Sequence, residues 1–149
     1  MRILIQRVKQ AKVEVRQKNV AEINRGLLVF VGICDEDGDS DIEYLSGKLV
    51  NLRIFDDENG IMNLSAIDTN AEILIVSQFT LHASTRKGNR PSYILAAKPE
   101  IAIPLYEKFC IETARKIKHS VQTGIFGEDM QVFLINDGPV TIMIDSKEK

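Results

Sequence analysis

The sequence is poor in residues that cross-link a chain or bind metal. It has two cysteines, two histidines and no tryptophan among 149 residues. Two cysteines cannot form a disulfide framework, so we expect reduced, buried thiols at Cys34 and Cys110. There is no CxxC, HExxH, GxGxxG or P-loop, and the acidic loop 35–41 lacks the last glutamate of an EF-hand. We therefore interpret Asp37 and Asp39 as turn residues and expect no metal and no cofactor.

Long apolar stretches are also missing. The longest run, Leu27 to Ile33, is too short to span a bilayer, and the first ten residues contain no apolar core of a signal peptide. We expect a single domain over residues 1–149, located in the cytoplasm and without contact with a membrane. The net charge of −2 does not indicate a broad positive surface for nucleic acid.

The apolar patterns predict a mixed α/β fold. Strands are expected at 3–8, 12–15, 20–23, 26–33 and 72–76, with a short hairpin around 57–60. Helices are expected from an N-cap at Asp41 and over about 101–119, the second with a start on either side of Pro104. Two last strands are expected at 131–135 and 140–144. The order is ββ-(βα)2-ββ with an extra hairpin in the middle. Two main helices would therefore pack on a largely antiparallel, rolled sheet.

Hydroxyl side chains follow the buried strand at 72–76, where ligand sites are common in α/β sheets. Ser77 and Thr80 flank an amide, Gln78, and could equally serve only to satisfy local backbone groups. His82 lies two residues beyond Thr80, so an extended strand would place both side chains on one face. No GxSxG elbow is present, and we do not predict a conventional catalytic triad.

The sequence alone does not show whether two of the predicted loops are structural or functional. Residues 135–142 read INDGPVTI, which has the composition of a hairpin turn, but its proline removes a backbone donor. Only about 5–6% of X-Pro bonds in folded proteins are cis. A cis Gly138-Pro139 bond would nevertheless present the flanking backbone carbonyls to an amino group. The basic residues Arg86, Lys87 and Arg90 form either a solvated loop or a set of phosphate contacts, and charge alone does not decide.

Two separated motifs connect these features. Ser77-Gln-Phe-Thr-Leu81 and Asn136-Asp-Gly-Pro-Val-Thr141 together resemble the signature motifs of the D-aminoacyl-tRNA deacylases. The similarity extends over the whole chain and includes Met1 to Val8, Lys87-Gly-Asn-Arg-Pro91 and Gly124-Ile-Phe-Gly127.

The resemblance implies a homodimer that hydrolyses the ester between a D-amino acid, or glycine, and the 3′-terminal adenosine of tRNA. Gly138-Pro139 would be cis and would enter the partner's active site, where its carbonyls capture the substrate amino group and exclude L side chains. Ser77, Gln78, Phe79 and Thr80 would line the ester and adenosine end. Arg7 would orient the turn, and the remaining supporting residues would be Asn136, Val140 and Thr141.

The resemblance leaves the chemistry open. Either Thr80 is a nucleophile, or the terminal 2′-hydroxyl of tRNA assists a water while the Phe79 backbone N–H stabilises the oxyanion. We favour the second, because Thr80 has no evident base beyond His82. Tyr93 and Glu128 depart from the commonest family pattern. Two other hypotheses are a binding module for tRNA or DNA ends without hydrolysis, and an esterase for small molecules.

Overall fold

A six-stranded sheet forms the body of the computed structural model, which describes residues 1–117 and 121–148. The sheet strands are β1 (Arg2–Val15), β2 (Lys18–Ile23), β3 (Gly26–Gly32), β6 (Glu72–Ser77), β7 (Gln122–Thr123) and β8 (Met130–Asp145). A separate hairpin contains β4 (Phe55–Asp56) and β5 (Met62–Leu64). The helices are α1 (Asp39–Asn51), α2 (Ala66–Thr69), α3 (Pro99–Ile117) and a 3-10 helix at Phe79–His82.

The sheet curls around β1, the strand with the most partners. β1 pairs with β3 over residues 2–8 and with β2 over residues 11–15, while β8 follows its other edge. Among the strands of the described residues, only the β3–β6 and β6–β7 pairs are parallel. Arg16, in the turn between β1 and β2, forms an ion pair with Glu128, in the segment before β8. Both Glu128 carboxylate oxygens lie 3.1 Å from Arg16 Nη2. The predicted mixed α/β fold with a largely antiparallel, rolled sheet is confirmed.

Apolar side chains fill both faces of the curled sheet. One cluster lies beneath α1 and α3 and includes Ile5, Leu45 and Phe109. The other includes Leu28 and Val76, and it is covered by the first half of β8. Strands β3 and β6 contribute to both clusters, which explains their continuous apolar sequences. The sheet thereby holds the carboxyl end of β6 in a rigid position.

The two long helices begin at other residues than predicted. Gly38, not Asp41, is the N-cap of α1, and the Asp41 carboxylate accepts a hydrogen bond of 2.9 Å from the Gly38 N–H. Asp41 is the third residue of the helix, and its carboxylate caps the helix by reaching back to the N-cap backbone. An aspartate in this role is easily taken for the N-cap itself, which explains the error of three residues. α3 begins at Pro99, two residues before the predicted start and on the N-terminal side of Pro104, which therefore lies inside the helix. The predicted end at His119 lies outside the described residues.

Two strand predictions are wrong in the same way. The strands expected at 3–8 and 12–15 form one strand, β1, and those expected at 131–135 and 140–144 form one strand, β8. Gln6 pairs with Thr141 and Val8 with Asn136, so residues 137–140 bulge out opposite Arg7 alone. The INDGPVTI segment is therefore a wide bulge within one strand and does not reverse the chain. Residues typical of turns are also found in bulges, because turns and bulges both need unusual backbone angles.

Two further observations concern the predicted cellular setting. Both Cys34 and Cys110 are free and only partly buried, so the thiols predicted as reduced are unpaired. Within residues 1–117 and 121–148, no helix has the length and apolar character needed to cross a membrane.

Candidate active site

The carboxyl end of β6 continues directly into the predicted site segment. The Gln78 N–H donates to the Val31 carbonyl at 2.7 Å, which extends the pairing with β3 by one residue beyond Ser77. The chain then tightens into the 3-10 helix, of which Phe79 is the first residue. The first N–H groups of a helix have no acceptor within it, so the Phe79 N–H is available to a ligand. The fold thus places Ser77, Gln78 and the Phe79 N–H, which has no acceptor within the 3-10 helix, at one strand end.

The 3-10 helix separates Thr80 from His82. The Thr80 hydroxyl accepts a hydrogen bond of 2.6 Å from the Gln78 side-chain amide. His82 is buried instead, and the loss of solvent lowers the pKa of its imidazole. The expectation that both side chains share one face of an extended strand is wrong, because the chain is helical there. Thr80 therefore has no general base in His82.

A cavity of about 300 Å³ opens beside Ser77, Gln78 and Phe79. Its apolar floor comes from β3 and β6, and its opposite wall is the segment 126–130 with Val132 of β8. The exposed Phe79 ring packs edge-to-face on Tyr93, with 5.0 Å between ring centroids. A pocket with an apolar floor and an aromatic rim is suited to a planar base with polar groups at its edge.

The bulge in β8 presents backbone rather than reactive side chains. The Gly138-Pro139 bond is cis, as the resemblance implied, and both residues are exposed. The Asn136 side chain spans the bulge: its oxygen accepts from the Val140 N–H at 2.9 Å, and its nitrogen donates to the Thr141 hydroxyl at 2.9 Å. Asn136, Val140 and Thr141 therefore fix the shape of the bulge.

Arg7 supports the bulge from beneath. Its guanidinium Nε donates to the Asp137 carbonyl at 3.0 Å, and Nη1 donates to the Ile54 carbonyl at 2.6 Å. Nη1 also lies 3.3 Å from an Asp56 carboxylate oxygen. Arg7 is only 6% exposed, so its charge is held by these acceptors rather than by water. A fork of fixed donors holds a backbone segment in one orientation.

The bulge and the cavity lie far apart within one chain. Val132 borders the cavity, whereas none of the described residues 136–141 does. Gly138 lies six positions beyond Val132 on the strand, and at about 3.3 Å for each step the separation is roughly 20 Å. The fold therefore brings Ser77, Gln78 and Phe79 together but does not bring Gly138 and Pro139 to them.

The basic loop lies beyond the 3-10 helix. Reciprocal hydrogen bonds of 2.8 and 2.9 Å between Ser84 and Ser92 close its base. Arg86, Lys87 and Arg90 are all exposed on this loop. Their side chains are thus accessible to a ligand.

A family model described as D-Tyr-tRNA(Tyr) deacylase matches residues 4–145. The chain belongs to this family. It is thus a hydrolase that acts on ester bonds. A protein of Flavobacterium psychrophilum named D-aminoacyl-tRNA deacylase is 61% identical over 149 residues, covering 100% of this chain and 99% of the relative. A Porphyromonas gingivalis protein of the same name is 60% identical with the same coverage.

Two solved structures share the fold of this deacylase-family chain. One is titled c-Myc DNA Unwinding Element Binding Protein; it has a TM-score of 0.93 and 39% identity, and covers 97% of this chain and 98% of that chain. The other is titled as a probable eukaryotic D-amino acid tRNA deacylase; it has a TM-score of 0.82 and covers 96% and 97%. At 20% identity, the second supports the fold alone.

Sequence patterns missed part of the site of this family member. The segment 126–130 forms a cavity wall, although no role in the site was predicted for it from the sequence. Glu128, which departs from the common family pattern, lines the cavity and is also tied to Arg16. The acceptors of Arg7 at Ile54 and Asp56 were not foreseen either, because nothing in a sequence shows that a β1 side chain reaches the β4 segment.

Proposed function

We propose that this chain removes D-amino acids, and glycine, from tRNA by hydrolysing the ester to the 3′-terminal adenosine. We further propose that it acts as a homodimer in which the Gly138-Pro139 bulge of each subunit completes the cavity beside Ser77 of the other. The family and the names of its relatives support the reaction.

One observation carries the cross-subunit arrangement. The bulge is exposed and firmly held by Arg7, but it lies roughly 20 Å from the cavity in its own chain, as the length of the intervening strand indicates. A segment that is rigid, exposed and remote from its own cavity is suited to act in another copy. In a twofold dimer such an exchange is reciprocal, so both cavities would be completed at once.

The outward face of β8 offers a surface for that dimer. Phe133, Ile135 and Met143 are 47%, 48% and 60% exposed, and they flank the bulge on the same strand. Apolar residues clustered along an exposed strand mark a surface that another protein covers. A partner seated here would bury these side chains and lie next to Gly138. The dimer surface and the exchanged bulge thus support each other.

The proposed chemistry needs no side-chain nucleophile. Water attacks the ester carbonyl carbon, and the 2′-hydroxyl of the terminal adenosine relays the proton: it takes one from the water and passes its own to the leaving 3′-oxygen, while the Phe79 N–H stabilises the negative carbonyl oxygen. The bond from the carbonyl carbon to the 3′-oxygen then breaks, and that oxygen takes up a proton. The products are a free amino acid and tRNA with a free 3′-hydroxyl. An activated ester makes positioning and one oxyanion donor sufficient.

Chiral selection follows from the exposed carbonyls of the bulge. Backbone carbonyls can bind the substrate ammonium group with almost no side-chain bulk, and glycine at 138 adds no side chain to the bulge. The D side chain and the hydrogen of glycine point away from the bulge. An L side chain would collide with backbone that Arg7 prevents from moving.

Hydrolysis is tested with D-Tyr-tRNA, L-Tyr-tRNA and a free D-tyrosine ester. We expect rapid loss of the ester from D-Tyr-tRNA alone. Equal cleavage of the free ester would indicate a small-molecule esterase, and equal cleavage of both tRNAs would contradict the proposed chiral selection.

The dimer is tested by mixing two variants of strongly reduced activity, Phe79→Pro and Gly138→Ala. In a mixed dimer, one cavity combines an intact Phe79 with an intact partner bulge. Random subunit exchange should therefore restore about a quarter of the wild-type activity. If cavity and bulge acted within one chain, no mixture would recover activity.

Phosphate contacts are proposed for Arg86, Lys87 and Arg90, which are exposed on the loop beyond the 3-10 helix. Charge reversal of Arg86 and Lys87 should raise KM and weaken the dependence of kcat/KM on salt. The matched control is charge reversal of Lys18, which is exposed on β2. Unchanged activity and unchanged salt dependence after reversal of the loop would remove these residues from the interface.

A second candidate function is binding of nucleic-acid ends without hydrolysis. It is favoured by the exposed basic loop and by 39% identity to a structure named for DNA binding. It predicts that D-Tyr-tRNA and L-Tyr-tRNA are both protected from spontaneous hydrolysis. Catalytic turnover of D-Tyr-tRNA would reject it.

A further inference from the structure

Three side chains with metal-binding atoms converge outside the cavity of the proposed active site. Cys34, Asp37 and His82 each place one such atom within 4.8 Å of the other two. Cys34 and Asp37 lie between β3 and α1, whereas His82 ends the 3-10 helix. We propose that these three residues bind a Zn²⁺ ion.

His82 supplies the observation that points to a ligand. Its side chain is 5% exposed, and its Nε2 is the one buried side-chain polar atom without a hydrogen-bond partner within residues 1–117 and 121–148. The imidazole is hydrogen-bonded to the backbone of Gly32. Metal-binding histidines commonly have this arrangement, in which one nitrogen is fixed by a backbone carbonyl and the other offers its lone pair. A zinc ion would satisfy the buried Nε2.

Asp37 is already oriented toward the cluster. One carboxylate oxygen, Oδ2, accepts from the Cys34 N–H at 2.8 Å. The other, Oδ1, accepts from the Met1 amino group and lies 3.4 Å from the Lys147 ammonium. Each carboxylate oxygen has two lone pairs, so Oδ2 can bind a metal while these donors stay in place. Hydrogen bonds of this kind around a ligand hold it in position for the ion.

The donor set selects the metal. A thiolate, an imidazole and a carboxylate suit Zn²⁺, whereas Mg²⁺ and Ca²⁺ prefer oxygen atoms alone. Bond lengths of about 2.0–2.3 Å in a tetrahedral site place neighbouring ligand atoms about 3.3–3.7 Å apart. Atoms that now lie within 4.8 Å need to approach by about 1 Å, which small side-chain rotations supply. The Cys34 thiolate and the Asp37 carboxylate together neutralise the ion.

A neighbouring cavity can supply the fourth ligand. Cys34 and His82 line a cavity of about 410 Å³, together with Met1, Arg2 and Asp145. A water from this cavity can complete the tetrahedron. None of the three proposed ligands lines the separate cavity beside Ser77, so this site lies apart from the one in which the ester would be cleaved. Zinc would instead connect the loop after β3 to the end of the 3-10 helix.

The test uses the full chain, stripped of metal with a chelator and then titrated with Zn²⁺ against a chromophoric competitor. We expect one ion per chain. Cys34→Ser, Asp37→Asn and His82→Ala should each weaken the affinity at least about tenfold. Cys110→Ser is the matched control, because Cys110 lies on α3 away from the cluster, and it should bind Zn²⁺ like the wild type. Binding that is unchanged by Cys34→Ser or His82→Ala would overturn the proposal.

Two further measurements do not depend on removing a ligand. In Cys110→Ser only the Cys34 thiol remains, and Zn²⁺ should protect it from a thiol reagent. Co²⁺ in the same variant should show a thiolate-to-metal charge-transfer absorption band. If Zn²⁺ gives no protection and Co²⁺ gives no such band, the site does not exist, whatever the folding of the other variants.

Discussion

The cavity beside Ser77 and the bulge at Gly138-Pro139 are built in opposite ways. The cavity is formed by the end of a buried strand and a short helix, and its polar groups are side chains and one backbone N–H. The bulge interrupts an otherwise regular strand, and Arg7 holds it through the Asp137 carbonyl. In the proposed reaction the cavity would offer hydrogen-bond donors for a developing negative charge, whereas the bulge would offer acceptors for an ammonium group.

This difference indicates a division of work between the two regions. Donors beside the ester would accelerate the reaction, whereas acceptors on a rigid backbone would decide which substrate is admitted. Each region can then be altered without rebuilding the other, since roughly 20 Å of β8 separates them in one chain. Variants of the cavity should therefore change rate, and variants of the bulge should change substrate selection.

The largest expected effect is that of Phe79→Pro. Proline is tolerated at the first position of a helix but has no N–H, so the variant removes the oxyanion donor. We expect kcat for D-Tyr-tRNA to fall about 10²- to 10³-fold in single-turnover assays. Phe79→Ala is the control, since it keeps the N–H and loses only the ring. Equal losses in both variants would show that the ring, not the N–H, matters.

A somewhat smaller effect is expected for Gly138→Ala. Gly138 has φ of +130°, and a Cβ there would lie 2.8 Å from a Val140 methyl and 3.1 Å from the Arg7 guanidinium. Strain of about 1–3 kcal/mol should distort the bulge and reduce D-Tyr-tRNA deacylation about tenfold to a hundredfold. Gly60→Ala is the control, because Gly60 also has positive φ but has open space around it. If both variants are equally active, the shape of the bulge is not important.

Replacing Arg7 by Met should affect both stability and selection. The change removes a buried guanidinium and leaves the Ile54 carbonyl without its donor, so urea unfolding should show a loss of about 2–4 kcal/mol. The released bulge should also hydrolyse L-Tyr-tRNA faster relative to D-Tyr-tRNA. Arg53→Met is the control: this exposed arginine donates to the Asn63 carbonyl at 2.8 Å and should cost less than about 1 kcal/mol. An equal loss of stability in both variants would show that the buried hydrogen bonds of Arg7 contribute no more than an exposed one.

The smallest effect is expected for Thr80→Ala. The Thr80 hydroxyl is bound by Gln78 and has no base, so kcat should stay within about threefold of the wild type. Circular dichroism would establish that the fold is intact. Loss of activity by more than about a hundredfold in a folded protein would instead make Thr80 the nucleophile.

The sequence predicted the fold class correctly because its buried strands are apolar on both faces. Apolar runs at β3 and β6 and the three- and four-residue spacing of α1 are strong local signals. The continuity of β1 was missed, since Lys9 and Gln10 are exposed in mid-strand and break the apolar pattern. The continuity of β8 was missed because the same residues favour a turn and a bulge, and only long-range pairing distinguishes the two.

The candidate site was predictable only through its two motifs. Local pattern placed Ser77 and Gln78 at a strand end but gave no reason to connect them with Gly138, 61 positions later in the chain. The cluster of Cys34, Asp37 and His82 was missed altogether, because its members are spread over 48 positions and match no metal motif. Contacts between distant segments depend on the curl of the sheet, which has no signature in short stretches of sequence.

The strand segments on both sides of the bulge pair with β1. This pairing limits which insertions and deletions the bulge can tolerate. Ile142 and Ile144 face the core on one flank, and Val132 and Leu134 pack inward on the other. An added or deleted codon between them cannot be absorbed by sliding a strand, since a slip of one residue turns every inward side chain outward. Insertions and deletions should therefore be tolerated in the 86–90 loop and eliminated by selection within 136–141.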